Sequence, residues 1–244
     1  MERREVLEAL LARHPDLSRD EPEVAANIGA QMSHMGMAPL PIVVLRRIRD
    51  IAVRREAKHV IEVGAGIGHL TAWLLDAWSE TDSRPAHYDV LEEGGKFGVI
   101  LHRCVDRYEA GTWARPVVGP FSALMAATDT WEAAHRTLLE AAATEKPPMH
   151  RPHDLAIIAG QSGRLDALEG ILPHMAKNGL ILTLEPAAPT ADVGKIPSSG
   201  ELTPAQAEVM EFNRWIRFIQ QVSTTHEVAF VPLHGGTLVA ILAP

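Results

Sequence analysis

The sequence predicts an α/β fold, in which a mostly parallel seven-stranded sheet carries helices on both faces and ends in an antiparallel C-terminal hairpin. Apolar runs suited to buried strands alternate with helical stretches along most of the chain, a pattern typical of parallel sheets with right-handed crossovers. The last two runs, residues 227–232 and 237–242, are separated by a four-residue turn that contains Gly235 and Gly236. Such a short connection joins neighbouring antiparallel strands, so the predicted sheet is mixed.

The predicted strands are short apolar runs, as strands covered on both faces usually are. In chain order they are "HVIEVG" (59–64), "AHYDVLE" (86–92), "ARPVVG" (114–119), "DLAIIA" (154–159), "LILTLE" (180–185), "EVAFVP" (227–232) and "TLVAIL" (237–242). Helical stretches separate most of them, at residues 68–79, 94–109, 120–143, 164–177 and 204–222.

The N-terminal part of the chain is helical in pattern and lacks the alternation seen later. A break at Pro39 and Pro41 divides it from the helix that leads into the first strand. We therefore expect an N-terminal helical segment at residues 1–41, followed by one large domain at residues 42–244. The helices predicted here are residues 3–13, 22–35 and 42–55.

Composition limits the classes of protein to which the chain can belong. Its 244 residues are 46% hydrophobic, enough for a full core, and its net charge is −8, which argues against general binding to nucleic acid. The basic stretch at residues 46–55 is interpreted as a solvated helix face. Cys104 is the only cysteine, which excludes an intramolecular disulfide and fits a reducing compartment. With no signal peptide and no apolar run near the ~18 residues of a membrane helix, we expect a cytoplasmic protein without membrane contact.

A glycine-rich turn, "EVGAGIG", follows the first predicted strand and indicates a nucleotide pocket. Glycines permit a sharp turn from strand to helix and let the backbone touch a ligand. The dinucleotide fingerprint would place its third glycine where this chain has His69, so the spacing argues against a bound pyrophosphate. It favours the methionine and ribose portions of S-adenosylmethionine (SAM), while a glycine turn without a ligand stays open as the alternative. The candidate cofactor contacts here are Glu62, Gly64, Ala65, Gly66, Gly68 and His69.

An acidic residue at the end of the second strand supports this interpretation. A ribose-binding carboxylate is expected about 20 to 30 residues after the glycine turn, and Glu92 stands there with Glu93 beside it. Glu92 is the favoured ribose ligand. Glu93 is interpreted as an acid that the dipole of the following helix stabilises.

Across about residues 32–244 the chain resembles the class I SAM-dependent O-methyltransferases of the catechol and caffeoyl-CoA type, which have a Rossmann-like fold. The matching segments, in order, are "QMSHMGMAPLPIVVLRRI", "AKHVIEVGAGIGHLTAWLL", "HDLAIIAGQSGRLDALEGILPHMAKNGLILTLEP", "AQAEVMEFNRWI" and "VAFVPLHGGTLVAIL". The resemblance implies SAM as cofactor, a small-molecule acceptor and a cofactor contact from Met35 or Met37. A homodimer, formed through the N-terminal helices and the hairpin edge, is implied by this family analogy alone.

The chain departs from the family where a divalent cation is bound. Family members hold the metal with carboxylates and an amide at the ends of the fourth and fifth strands, where this chain has Ala159, Gln161 and Glu185. Ala159 is instead a candidate cofactor contact. A hard cation requires several oxygen ligands, so we expect no metal. The acid that follows the third strand near the adenine is replaced by "GPFS", so Ser122 or the backbone is expected to contact the ring, with Phe121 packing beside it.

Two functional hypotheses follow, and they belong to different classes. The first is a metal-independent methyltransferase that acts on a small molecule or on a macromolecular side chain. The second is a catalytically silent binding or scaffold protein that keeps the fold, with or without SAM. Methyl transfer needs alignment and desolvation above all, and a base only where the acceptor must lose a proton; the candidate bases are His34, His69 and Glu185. An NAD(P) oxidoreductase is disfavoured by the glycine spacing and by the C-terminal hairpin.

Overall fold

Strands and helices alternate in the structure much as the sequence predicts. The computed structural model describes residues 2–12, 18–81, 83–137, 146–160, 163–190 and 202–244. The strands are β1 (His59–Val63), β2 (His87–Glu92), β3 (Ala114–Val118), β4 (His153–Ile158), β5 (Met175–Leu184), β6 (Glu227–Leu233) and β7 (Gly236–Leu242). The helices are α1 (Arg3–Leu10), α2 (Glu23–His34), α3 (Ile42–Arg55), α4 (His69–Ser79), α5 (Gly95–Arg107), α6 (Phe121–Thr137), α7 (Arg164–Ile171) and α8 (Pro204–Val222).

In the described ranges these strands form one seven-stranded sheet in the order β3-β2-β1-β4-β5-β7-β6. The first five strands of this order run parallel, and β7 lies antiparallel to both of its neighbours. The predicted mixed sheet is thereby confirmed. The strand order reverses between β1 and β4, and at such a switch point the carboxyl ends of parallel strands leave a crevice that commonly binds ligands.

Arginines of α3 hold the N-terminal segment against the sheet domain. Arg47 donates a hydrogen bond to the backbone carbonyl of Leu11, and Arg49 donates one to that of Ser18 at 2.7 Å. Arg49 and Asp50 are both buried and form an ion pair at 2.8 Å. The interpretation of residues 46–55 as a solvated face is therefore wrong for this pair, because the helix is covered here by the preceding segment.

Two predicted boundaries differ from the structure for local reasons. The helix predicted at residues 164–177 ends at Ile171, because Pro173 cannot donate to the preceding turn and forms part of a short 3-10 turn, after which β5 begins. The hairpin turn has two residues, His234 and Gly235, instead of four, and Gly235 supplies the φ of +93°. The part of the helix predicted at residues 120–143 that follows residue 137 lies outside the described residues.

Within the described residues, no helix has the length and apolarity needed to cross a membrane.

His153, at the start of β4, couples the stability of the fold to pH. Its side chain is fully buried, and neither ring nitrogen has a hydrogen-bond partner in the described part of the chain. Burial lowers the pKa of His153 from 6.5 to about 3. A lowered pKa in the folded state means that the stability this residue contributes is full above pH 6.5 and is lost as the pH falls towards 3.

We therefore expect His153 to reduce the free energy of unfolding by about 2 kcal/mol between pH 6.5 and pH 5, since each pH unit corresponds to about 1.4 kcal/mol. Denaturant unfolding of the wild type and of His153→Leu across this range measures the effect. The exposed His102→Leu is the control and should keep the wild-type slope. An unchanged slope in His153→Leu would contradict the expectation.

Candidate active site

The glycine turn between β1 and α4 lies at the switch point of the sheet. Gly64, Gly66 and Gly68 have φ values of +78°, +59° and +91°, a region that favours glycine. The Gly64 amide donates to the Leu91 carbonyl at 3.0 Å, which joins the turn to the end of β2. A Cβ on Gly64 would lie 2.8 Å from the Cα of Gly160, so this glycine is required for the close approach to the segment after β4.

Two cavities flank the turn and share Gly64, Gly66 and Gly160 as lining residues. The first, the α2-side cavity, has a volume of about 250 Å³ and extends beneath the end of α2. The second, the β2-side cavity, has a volume of about 240 Å³ and extends towards the end of β2 and the start of α6. The predicted residues that line the α2-side cavity are Met37, Glu62, Ala65, His69 and Ala159, and those at the β2-side cavity are Glu92, Glu93 and Phe121.

The Glu92 carboxylate is held in place at the β2-side cavity by two backbone amides. Its Oε2 accepts a hydrogen bond from the Gly66 amide at 2.8 Å, and its Oε1 accepts one from the Gly94 amide at 2.9 Å. Each carboxylate oxygen can accept a further bond. The carboxylate at the end of β2 is therefore joined to the glycine turn, and its contact with a ribose stays a prediction.

Glu62 is a buried carboxylate at the α2-side cavity, with one oxygen bonded and the other without a partner. Its Oε2 accepts hydrogen bonds from Thr71 Oγ1 at 3.0 Å and from the Tyr88 hydroxyl. Its Oε1 has no partner in the described part of the chain, although the side chain has no solvent exposure. Burial raises the pKa of Glu62 from 4.5 to about 7, against the hydrogen bonds from Tyr88 and Thr71, which lower it.

His69 opens α4 and also lines the α2-side cavity, but its ring is enclosed by α2. An ideal Cβ on Gly29 would lie 3.0 Å from His69 Nε2, so the ring would have to shift slightly to admit any larger residue at this point of α2. Glu21 Oε1 is 3.6 Å from the same nitrogen. Burial lowers the pKa of His69, and the Glu21 carboxylate opposes this shift. The role of His69 as a base stays a prediction.

Several predicted residues lie away from both cavities. Met35 is 46% exposed at the end of α2, and Met37 lines the α2-side cavity in its place. Ser122 is exposed on α6, whereas its neighbour Phe121 lines the β2-side cavity. His34 is also exposed, and its Nδ1 lies 2.7 Å from the Ala30 carbonyl. Gly68 shapes the turn and lines neither cavity.

A larger cavity of about 630 Å³ adjoins the α2-side cavity, with Ala38 and Leu40 lining both. We call it the large cavity. Its walls come from the α2–α3 connection, the segment after β5, α8 and the hairpin turn, and it includes Glu185. The backbone amide of Glu185 donates to the Thr237 carbonyl at 2.9 Å, which fixes this residue beside the hairpin.

Arg164, the first residue of α7, is a site residue that the sequence analysis missed. It lines the large cavity and joins the ends of two strands: Nε donates to the Gly160 carbonyl at 3.2 Å, and Nη1 donates to the Leu184 carbonyl at 2.8 Å. Burial lowers the pKa of Arg164, and Glu211 opposes this shift. The signal available in the sequence was an arginine soon after the fourth strand, at the edge where ligands bind.

Metal-binding side chains do not gather at the ends of β4 and β5. Among the described residues, no group of three or more His, Cys, Asp or Glu side chains could hold a metal ion. Ala159 contributes an apolar wall to the α2-side cavity, and Gln161 lies outside the described residues.

The sheet order, with a glycine turn at the switch point and a carboxylate at the end of β2, defines the class I methyltransferase fold. The predicted fold is confirmed by solved structures that share it. TomG of Streptomyces achromogenes, an O-methyltransferase of tomaymycin synthesis in complex with SAM, has a TM-score of 0.60 at 12% sequence identity, covering 92% of each chain. An O-methyltransferase from Bacillus cereus in complex with SAH (S-adenosylhomocysteine) has a TM-score of 0.59 at 12% identity, covering 93% of this chain and 94% of that one.

A third solved structure also shares the fold. The SAH-bound methyltransferase PaMTH1 of Podospora anserina has a TM-score of 0.58 at 15% identity, covering 99% of this chain and 94% of that one. No protein-family model matches the chain, and no curated protein sequence matches it either. The fold is therefore shared with O-methyltransferases, at low sequence identity.

Proposed function

We propose that the chain is a SAM-dependent methyltransferase that methylates an oxygen of a small molecule without a metal ion. The observation that carries the proposal is the pair of cavities meeting at the glycine turn. Glu92 lines one, and Glu62, whose Oε1 has no hydrogen-bond partner in the described part of the chain, lines the other. An adenosyl group and an amino acid group joined at a sulfonium need two such compartments. O-methyltransferases of this fold carry SAM or SAH.

The residues present fit this cofactor. Glu92 would accept hydrogen bonds from the ribose hydroxyls, and Glu62 Oε1 would accept one from the ammonium group of the methionine portion. Phe121 would pack beside the adenine, and Met37 beside the methionine portion. SAM supplies an electrophilic methyl group on sulfur, and this chain's residues align it and exclude water.

The acceptor belongs in the large cavity in this proposal, since that cavity adjoins the α2-side cavity where the methyl group would lie. Glu185 lines the large cavity and is placed to take a proton from an acceptor hydroxyl. His69 is enclosed beneath α2, which supports a part in shaping the cofactor cavity in addition to the predicted part as a base.

Metal independence is supported by the composition of the strand ends. Ala159 provides no oxygen ligand from its side chain, and Glu185 is the carboxylate among the described residues that line the large cavity. The scarcity of acidic side chains at these strand ends also supports the second candidate, a silent binding protein that retains SAM.

Incubation with methyl-labelled SAM and a mixture of phenolic and other hydroxylated acceptors separates the two candidates. Label transfer supports the enzyme, and tight binding of SAM without transfer supports the silent protein. A cytoplasmic location and a homodimer stay predictions.

Binding of SAH tests the cofactor site directly. We expect Glu92→Gln to weaken binding at least tenfold, because a ribose hydroxyl would lose a charge-assisted hydrogen bond, which is about twice as strong as a neutral one. Calorimetric titration gives the dissociation constant. Glu93→Gln is the matched control, an exposed neighbour at the same cavity, and should stay within about twofold of the wild type.

Two results would count against the proposal. The first is the absence of binding heat for both SAM and SAH to the wild type at millimolar concentration. The second is an equal loss in both variants, which would assign the effect to general charge and not to the Glu92 position.

A further inference from the structure

The large cavity has an apolar wall and one arginine that is fixed in place. Six of the apolar residues in the wall are larger than alanine, and a wall of this kind suits a hydrophobic molecule. Arg164 is half-buried at the same cavity. It donates a hydrogen bond to Gly160, which lines both the α2-side and the β2-side cavity. The six apolar residues are Pro39, Leu40, Pro41, Leu184, Pro186 and Phe212.

The guanidinium of Arg164 is oriented but not neutralised. Its Nε and Nη1 donate to two backbone carbonyls, so its position is fixed by β4 and β5. Its Nη2 has no hydrogen-bond partner in the described part of the chain, and there no carboxylate lies within ion-pair distance of the group. Glu211 acts on it electrostatically from further away, and Glu185 is the acidic side chain that lines the cavity with it.

We propose that Arg164 binds the ionised oxygen of an acidic hydroxyl group, of the phenol class, carried by the acceptor in the large cavity. This proposal rests on the proposed function, because only a methyltransferase has an acceptor. The binding itself requires no cofactor. A fixed positive charge beside an apolar surface stabilises an oxyanion on an aromatic ring more than the neutral hydroxyl. Arg164 would thus provide, from a side chain, the charge that activates the nucleophile.

A coloured phenol makes this binding visible. In 4-nitrophenol, the ionised form absorbs visible light and the neutral form does not, so the pH titration of the bound probe can be followed by absorbance. We expect the apparent pKa of the probe to fall by at least about one unit when the wild-type protein, without cofactor, saturates it, which corresponds to at least tenfold tighter binding of the ionised form.

Variants separate charge from structure. Arg164→Gln should abolish the shift, and Arg164→Lys should keep part of it, because the charge remains while the two carbonyl bonds are not reproduced. Arg214→Gln is the matched control: this arginine also contacts α7, through Asp166 and Glu169, but lies outside the cavity, and the full shift should persist. Glu185→Gln should enlarge the shift because a negative charge leaves the cavity. Circular dichroism confirms that each variant is folded.

Three results with 4-nitrophenol would overturn the proposal. They are no saturable binding of 4-nitrophenol at millimolar concentration, binding without a shift in the wild type, and a full shift in a folded Arg164→Gln variant. Tighter binding of benzoate than of ionised 4-nitrophenol would replace the hydroxyl by a carboxylate and would overturn it as well. Because no step requires SAM, these outcomes are independent of the calorimetric titration with SAH, which alone decides the cofactor.

Discussion

Replacing Gly66 with valine is expected to abolish binding of SAM and SAH while the protein still folds. Gly66 has a φ of +59°, so a β-branched residue there is strained by about 1–2 kcal/mol, which a stable domain of this size tolerates. An ideal Cβ would lie 3.7 Å from Met37 Cε, in the space of the α2-side cavity. The two γ-methyl groups of valine would then occupy the volume that the proposed cofactor needs.

Calorimetry should show at least a hundredfold weaker binding of SAH to Gly66→Val, and thermal unfolding should show a cooperative transition. Gly95→Val is the matched control, since Gly95 lies at the first turn of α5 with no atom within 4 Å of an added Cβ. Gly64→Ala is expected to destabilise the fold, because its Cβ would lie 2.8 Å from the Gly160 backbone. Binding of SAH to Gly66→Val within a few-fold of the wild type would contradict the placement of the cofactor.

The positions of the two candidate cofactor-binding carboxylates can be predicted because local sequence determines where each lies. Glu62 precedes the glycine turn and Glu92 ends the next strand, and the carboxyl ends of adjacent parallel strands lie at the same edge of a sheet. The positions of the two strands therefore predict that both carboxylates lie at the edge of the sheet where the glycine turn begins. The sharp turn can also be predicted from the glycines, because Gly64, Gly66 and Gly68 all adopt positive φ values in the structure.

Other parts of the site depend on packing between distant segments, which no local pattern records. The ring of His69 is enclosed because Gly29, forty positions earlier, leaves room for it in α2. The chain leaves α2 in such a way that Met37 and not Met35 lines the cavity. Arg164 becomes a site residue only because its long side chain reaches the carbonyl of Leu184 at the end of a different strand.

Glu62 connects the stability of the ligand-free protein to the chemistry of the proposed cofactor site. Its pKa of about 7 lies above the ordinary value of 4.5 because the carboxylate is buried, with Glu92 adding a smaller upward effect. A raised pKa in the folded state gives stability that is fully present below pH 4.5 and is lost as the pH rises through about 7. The difference between these two values, at about 1.4 kcal/mol per pH unit, corresponds to about 3 kcal/mol.

We therefore expect Glu62→Gln to stabilise the ligand-free protein at pH 8 by up to about 3 kcal/mol, with the gain shrinking towards zero near pH 4.5. The glutamine carbonyl can still accept from Thr71 and Tyr88, while no charge remains buried. Denaturant unfolding at several pH values measures the gain. Glu93→Gln, at an exposed site, should leave the pH dependence as it is in the wild type.

The same substitution should weaken binding of SAH, because an amide nitrogen at the position of Oε1 cannot accept a hydrogen bond from an ammonium group. In the wild type we expect SAH affinity to rise by up to about tenfold between pH 6 and pH 8 as Glu62 ionises, and in Glu62→Gln to be low and nearly independent of pH. A Glu62→Gln variant that is less stable than the wild type at pH 8 would show that the buried carboxylate does not cost stability. A variant that binds SAH as well as the wild type would show that the carboxylate does not contact the ligand. Gain of stability together with loss of affinity is the pattern expected of a charge kept buried for binding, because a group with only a structural role would have no reason to retain its unpartnered oxygen at a cavity.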